Sequence, residues 1–228
     1  MKKINFDSGV ALFTSMLTLI TFIIAFNTPP LSGPMCREVV CFQYPYLDVA
    51  SRFPRDYYWI FPAIIILVTY IILMTILGNR SEEKKKLFGQ LTVIFASISG
   101  AILLVAYFTQ LSAVQPSLLK NEADGISLIS QFNPHGMFIA LEELGYLLMS
   151  VSFLFAGLAM TAKTKLEKWI KRVFVGGFAL TIISLIIIVG LMGFNKEYIF
   201  EIAAITVTWF ALIINGFLLF RLFHKTRA

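Results

Sequence analysis

Six uncharged apolar stretches, each close to the length of a membrane span, leave this chain few ways to fold. They run Ser8–Phe26, Trp59–Gly78, Leu91–Leu111, Leu144–Ala162, Val173–Phe194 and Ile202–Phe220. A run of about twenty apolar residues crosses ~30 Å of hydrocarbon as an α-helix. Only helices and closed barrels satisfy their own backbone hydrogen bonds there. The sequence therefore predicts an all-α polytopic bundle of six transmembrane helices, one domain over 1–228, with spans near 8–26, 59–78, 91–111, 137–162, 173–194 and 201–220. Composition agrees: 58% of residues are hydrophobic and 14% charged, against roughly 25% charged in soluble domains.

The charges that remain are segregated. Lys2 and Lys3, Arg80 and Lys84–Lys86, Lys163, Lys165, Lys168, Lys171 and Arg172, and Arg221, Lys225 and Arg227 all fall on one side when six spans alternate, which is fourteen of the nineteen Lys and Arg residues. Arg37, Arg52, Arg55, Lys120 and Lys196 fall on the other. The positive-inside rule then puts both termini in the cytoplasm. A net charge of +6 raises nucleic acid as a partner, but the basic residues are scattered over short loops, and no nucleic-acid partner is expected. The basic N-terminus followed by an apolar run also resembles a secretory signal. The run is too long for one, no A-x-A site follows, and Ser32–Met35 before Cys36 make a poor lipoprotein site, so an uncleaved first helix is expected.

Two outer loops are long, 27–58 and 112–136. The first opens with Pro29-Pro30 and holds the chain's two cysteines, Cys36 and Cys41. On an oxidising face these are expected to form a disulfide, with free thiols as the alternative; no metal is expected, because a tetrahedral site needs four ligands. Asp48 and Arg52, four apart, are placed to pair on a short helix, and Arg55 and Asp56 are adjacent. The cluster Tyr57, Tyr58, Trp59 and Phe61 reads first as an interfacial aromatic belt and second as a ring-binding surface. In the second loop, Ile126–Phe132 is too short to span and suits an interfacial segment or a lid. Asn133-Pro134 is a helix-start signal, so the fourth helix should begin near Pro134.

Charged residues near the outer ends of the spans are the functional candidates. Glu142 and Glu143 lie about twenty residues before the basic loop at Lys163, which puts them near the outer boundary. Glu201 lies at a similar depth. Adjacent glutamates cannot both face inward. Helical spacing groups Glu143 with Tyr146 and Ser150, and Glu142 with His135 and Ile139; the first grouping is favoured as the inward one, while the bland reading leaves both at the headgroups as solvated interfacial carboxylates and a third gives an ion pair with Arg52 or Arg55. An outer vestibule follows, with Asp48, Arg52, Arg55, Asp56, Glu143, Tyr146, Glu201 and the deeper Asn215 as binding candidates. Glu142, Glu143 and His135 are the catalytic candidates for acid–base chemistry. Asn215 is expected to hydrogen-bond between helices or to line a cavity. Stripes of small and hydroxyl residues, Thr14/Thr18/Thr21 and Gly177/Thr181/Ser184, suit close packing and interhelical hydrogen bonds, and Pro62 should bend or loosen the outer end of the second helix. Phosphate loops, zinc motifs and nucleophile elbows are absent from the sequence, so no cofactor is expected.

CFQYPYLDVASRFPRDYYW (Cys41 to Trp59) and NPHGMFIALEELGYLLMS (Asn133 to Ser150) resemble segments of uncharacterised prokaryotic multi-span membrane proteins. The resemblance implies a bacterial or archaeal inner membrane and adds no activity. Three classes of function are open: a non-enzymatic binder of a lipid, small amphiphile or partner membrane protein through the outer vestibule, which leads; an enzyme acting on lipid headgroups; and a small permease or channel subunit for an uncharged solute.

Overall fold

The computed structural model describes residues 5–28, 31–34, 36 and 41–225. The expectations that rest on Lys2, Lys3, Pro29, Pro30, Met35, Arg37 and Arg227 lie outside the described residues. Within them the chain is helical and without strands, and six helices are long and apolar enough to cross a membrane, the pattern of a multi-pass membrane protein. They are α1 (Phe6–Phe26), α2 (Ile60–Asn79), α3 (Lys86–Thr109), α4 (Met137–Ala159), α5 (Lys165–Met192) and α6 (Ile199–Lys225).

Local chemistry sets most of the ends. Asn5 caps α1 by accepting the Ser8 N–H at 2.8 Å. Thr164 and Glu167 form a reciprocal capping box at the start of α5. Pro62 stands third in α2, in the first turn, where its missing N–H has no intrahelical acceptor to lose. Asn133 and Pro134 make a turn instead of a cap: the Asn133 side chain accepts the His135 N–H and its carbonyl the Gly136 N–H. Helix α4 consequently begins three residues later than the Asn-Pro signal predicts. The segment 112–119, expected as loop, stays helical, because α3 continues through a π-helical turn (Gln110–Val114) into the short helix Gln115–Leu119.

Consecutive helices pack side by side, α6 closes the ring against α1, and α4 is central, touching α2, α3, α5 and α6. Lipid offers no hydrophobic drive for helix association, so close backbone approach and a few hydrogen bonds carry it. A Cβ on Gly145 would sit 2.5 Å from the Leu103 side chain, and one on Gly216 would sit 2.5 Å from the Ser15 Cβ and 2.9 Å from the Ala11 carbonyl. Two buried serines bond between helices: Ser15 Oγ donates to the Ile213 carbonyl at 2.6 Å, joining α1 to α6, and Ser99 Oγ donates to Gly145 at 2.8 Å, joining α3 to α4. The hydroxyl stripes behave differently from expectation. Thr18, Thr21, Thr181 and Ser184 donate to carbonyls one turn back on their own helices, which leaves them small, self-satisfied packing surfaces.

Charge sorts to the two ends of the bundle. At the basic end Arg80 pairs with Asp7 and lies over the Phe223 ring, 4.2 Å from its centroid. Lys163 donates to Glu82 at 2.9 Å, and Lys85 to the Met160 carbonyl at 2.6 Å. The opposite, lid end carries both long loops.

Gly216→Ala should therefore lower stability by about 1–3 kcal/mol, because α1 cannot yield at a backbone carbonyl. Gly176→Ala, where a Cβ meets open space, should cost nothing. Thermal unfolding of both variants in one detergent checks the contrast.

Candidate functional site

Three chain segments meet over the lid end. The Phe42 N–H donates to the Leu31 carbonyl at 2.7 Å, and the Phe42 ring meets Phe132 edge-on at 5.6 Å between centroids. Ser32 Oγ donates to the Phe132 carbonyl at 2.6 Å and lies 2.7 Å from the Tyr198 hydroxyl, which must then be the donor to Ser32. Burial pushes the Tyr198 phenol above its ordinary range, so it remains a protonated donor. Gly33 has φ +65°, and a Cβ there would meet the Tyr198 ring at 2.7 Å. That turn admits only glycine without displacing the ring. The buried Gln110, on the π-helical turn, donates to the Ile129 carbonyl at 2.7 Å and accepts the Gln131 N–H at 3.0 Å. The segment Ile126–Phe132 is thus pinned as a lid, the second of its two expected forms. A disulfide joins Cys36 to Cys41 in the loop beside it.

Beneath the lid is a cavity of about 900 Å³. Its floor and back are Phe138, Ile139 and Glu142 of α4 and Glu201, Ile205 and Trp209 of α6, with Trp59 and Asp56 at one side. Its exposed lining residues, Phe26, Ile202 and Phe210, belong to α1 and α6. The mouth therefore opens sideways between those two helices.

The cavity backs onto a polar chain inside the bundle. Tyr107 of α3 donates to Glu142 Oε1 at 2.8 Å, and its hydroxyl lies 2.6 Å from that of Tyr146. A phenol has one proton, so Tyr146 donates to Tyr107, and the Trp209 ring meets the Tyr146 ring edge-on at 6.4 Å between centroids. Glu142 and Glu201 share the cavity wall.

The expected residues divide accordingly. Glu142, 1% exposed, is the inward glutamate, together with Ile139 and Tyr146. Glu143, favoured from spacing for that role, turns to the flank and pairs with Lys196 of the α5–α6 connection, so neither carboxylate pairs with Arg52 or Arg55. Periodicity could not decide between neighbours; the tyrosine on α3 and the lysine before α6 do. Asp56 and Glu201 line the cavity, and Tyr146 stands behind it. Arg55 holds Asp56 Oδ1 at 2.6 Å from outside the lining. Asp48 is exposed and does not pair with Arg52, which lies over Phe42 at 5.3 Å. The reason is helix type: Leu47–Arg52 is a 3-10 helix, in which residues three apart eclipse and residues four apart diverge. His135 is exposed at the turn before α4 and does not line the cavity. Asn215 is fully buried near the α1–α6 contact; its amide atoms have no hydrogen-bond partner among the described residues, and it is outside the cavity lining.

Tyr107, Trp209 and Tyr198 are the site residues that spacing missed. Their signal was chemical: a buried phenol or indole needs a polar partner, and these three lie about the cavity where the carboxyl groups are. No family model, curated protein or solved structure matches the chain.

Tyr107→Phe should cost about 1–3 kcal/mol by leaving Glu142 without its donor. The loss should not add to that of Glu142→Leu, because either change removes one partner of the same bond. Thermal unfolding of the double-mutant cycle tests this, and additivity within about 0.5 kcal/mol would deny the coupling.

Proposed function

We propose that this chain is a non-enzymatic multi-pass protein of a prokaryotic cytoplasmic (inner) membrane that binds a lipid or small amphiphile in a vestibule on its outer face. The carrying observation is the roofed cavity of about 900 Å³ with its mouth between α1 and α6, a volume within the range of small-molecule sites. With the lid end outward and both termini in the cytoplasm, as the segregation of Lys and Arg supports, that mouth lies at the outer hydrocarbon boundary. An amphiphile enters it from the bilayer without crossing water, its chain against Phe26, Ile202 and Phe210 and its head toward Asp56, Glu142 and Glu201. A concave, roofed site suits a small molecule better than a partner protein. Headgroup chemistry would need His135 beside a glutamate, and the exposed His135 and the lysine-paired Glu143 do not support that reading.

Native mass spectrometry of protein extracted in a mild maltoside should show one retained amphiphile, and Ile205→Trp, which fills the cavity from α6, should reduce its occupancy about tenfold or more. A wild-type protein that neither retains nor reacquires an amphiphile would overturn the proposal. Reporter fusions should place both termini in the cytoplasm. Cys36 and Cys41 should react with an impermeant thiol reagent only from outside and only after reduction; reaction from the cytosolic face would invert the orientation.

A further inference from the structure

We propose that the head of the bound molecule is cationic: an ammonium group on an apolar chain, held by Asp56, Glu142 and Glu201 among aromatic rings. This rests on the vestibule reading above and adds the chemical class of the ligand.

Three carboxyl side chains face one cavity, and among the described residues no Lys, Arg or His lines it, although the chain as a whole carries a net charge of +6. Charge in a wall of low polarity requires a partner. The protein supplies one to Glu143, through Lys196, on the flank outside the cavity. For the carboxyls inside, its provision is partial. Asp56 is 2% exposed; its Oδ1 receives Arg55, and its Oδ2 has no hydrogen-bond partner among the described residues. Glu142 receives Tyr107, and Glu201 stands on the same cavity wall. The wall thus presents three carboxyl groups, one oxygen of Asp56 unpartnered, to a space that no Lys, Arg or His of the described residues lines.

The rest of the lining narrows the kind of cation. Among the described residues no three His, Cys, Asp or Glu side chains converge closely enough to hold a metal ion. Trp59, Phe132, Tyr198 and Trp209 surround the same space, and aromatic faces attract ammonium groups, quaternary ones included. Phosphate and sulfate heads meet like charge instead. The apolar mouth takes a chain, so the ligand is an amphiphile with a positive head. Both a free long-chain amine and a lipid with an amino headgroup present that chemistry.

The test is a titration of the full chain in maltoside micelles, read by native mass spectrometry, with four probes of equal chain length: tetradecyltrimethylammonium, tetradecyl sulfate, tetradecanol and tetradecanoyl lysophosphatidylethanolamine. The ammonium should bind about tenfold tighter than the alcohol and more so than the sulfate, against the attraction of the chain's net positive charge for sulfate. Asp56→Asn with Glu201→Gln should bring the ammonium down to the affinity of the alcohol. Both replacements keep the shape of the side chain and a carbonyl acceptor, and unchanged alcohol binding by the double variant verifies an intact cavity. In Ile205→Trp all four probes should lose binding together. The lysolipid, by binding tighter or weaker than the free ammonium, assigns the head to an aminolipid or to a free amine, and either order supports the shared chemistry. An ammonium that binds no tighter than the alcohol, or a double variant that keeps the full preference, overturns the cationic head while leaving the vestibule standing. Failure of all four probes overturns both.

Discussion

The hydrogen bond from Tyr107 to Glu142 fixes the rotation of α4, and the site is arranged around that rotation. A carboxyl inside an apolar bundle is costly unless it meets a donor. Once α3 offers one at 2.8 Å, Glu142 turns inward and Glu143 is carried to the flank, where Lys196 meets it. The same rotation brings Ile139 and Phe138 to the cavity and Tyr146 behind it. Helix α4 touches four of the five other spans, so its orientation propagates to them through close contacts such as Gly145 on Leu103.

The lid makes the space above α4 a roofed cavity instead of an open funnel. Its hold on the bundle is polar and local: Gln110 grips the backbone of 129–131, and Ser32 links the first loop to both Phe132 and Tyr198. Each bond is worth about 1 kcal/mol, enough together to order a short segment and little enough for it to open. At the α1–α6 mouth the contact among the described residues is aromatic, the Phe22 ring meeting Phe210 at 5.0 Å and Trp209 at 6.3 Å between centroids. Farther down, the two helices are joined at Gly216 and by the Ser15 bond to Ile213. Access from the side and closure from above follow from that division.

Much of the architecture was legible because hydrocarbon imposes it. Six apolar runs near twenty residues became six long helices, and the disulfide between Cys36 and Cys41 agrees with its reading from pattern alone. Where pattern failed, a competing local rule had won. Pro62 fell where a helix loses nothing by it, the 3-10 geometry of Leu47–Arg52 separated Asp48 from Arg52, and Asn133 folded its own turn before α4 could start. Hydroxyl stripes bonded to their own helices, and the interhelical bonds fell instead to Ser15 and Ser99.

By itself the sequence determined the number of spans, the segregation of charge and the concentration of carboxylates near one end, because each follows from the cost of placing a charge or an unpaired backbone group in hydrocarbon. Which of two neighbouring glutamates faces inward, which aromatic rings share a wall with it, and that the wall contains no basic side chain were decided only by tertiary structure. Those properties depend on the rotation of one helix against another, and a periodic pattern gives the faces of a helix without saying which partner each face will meet.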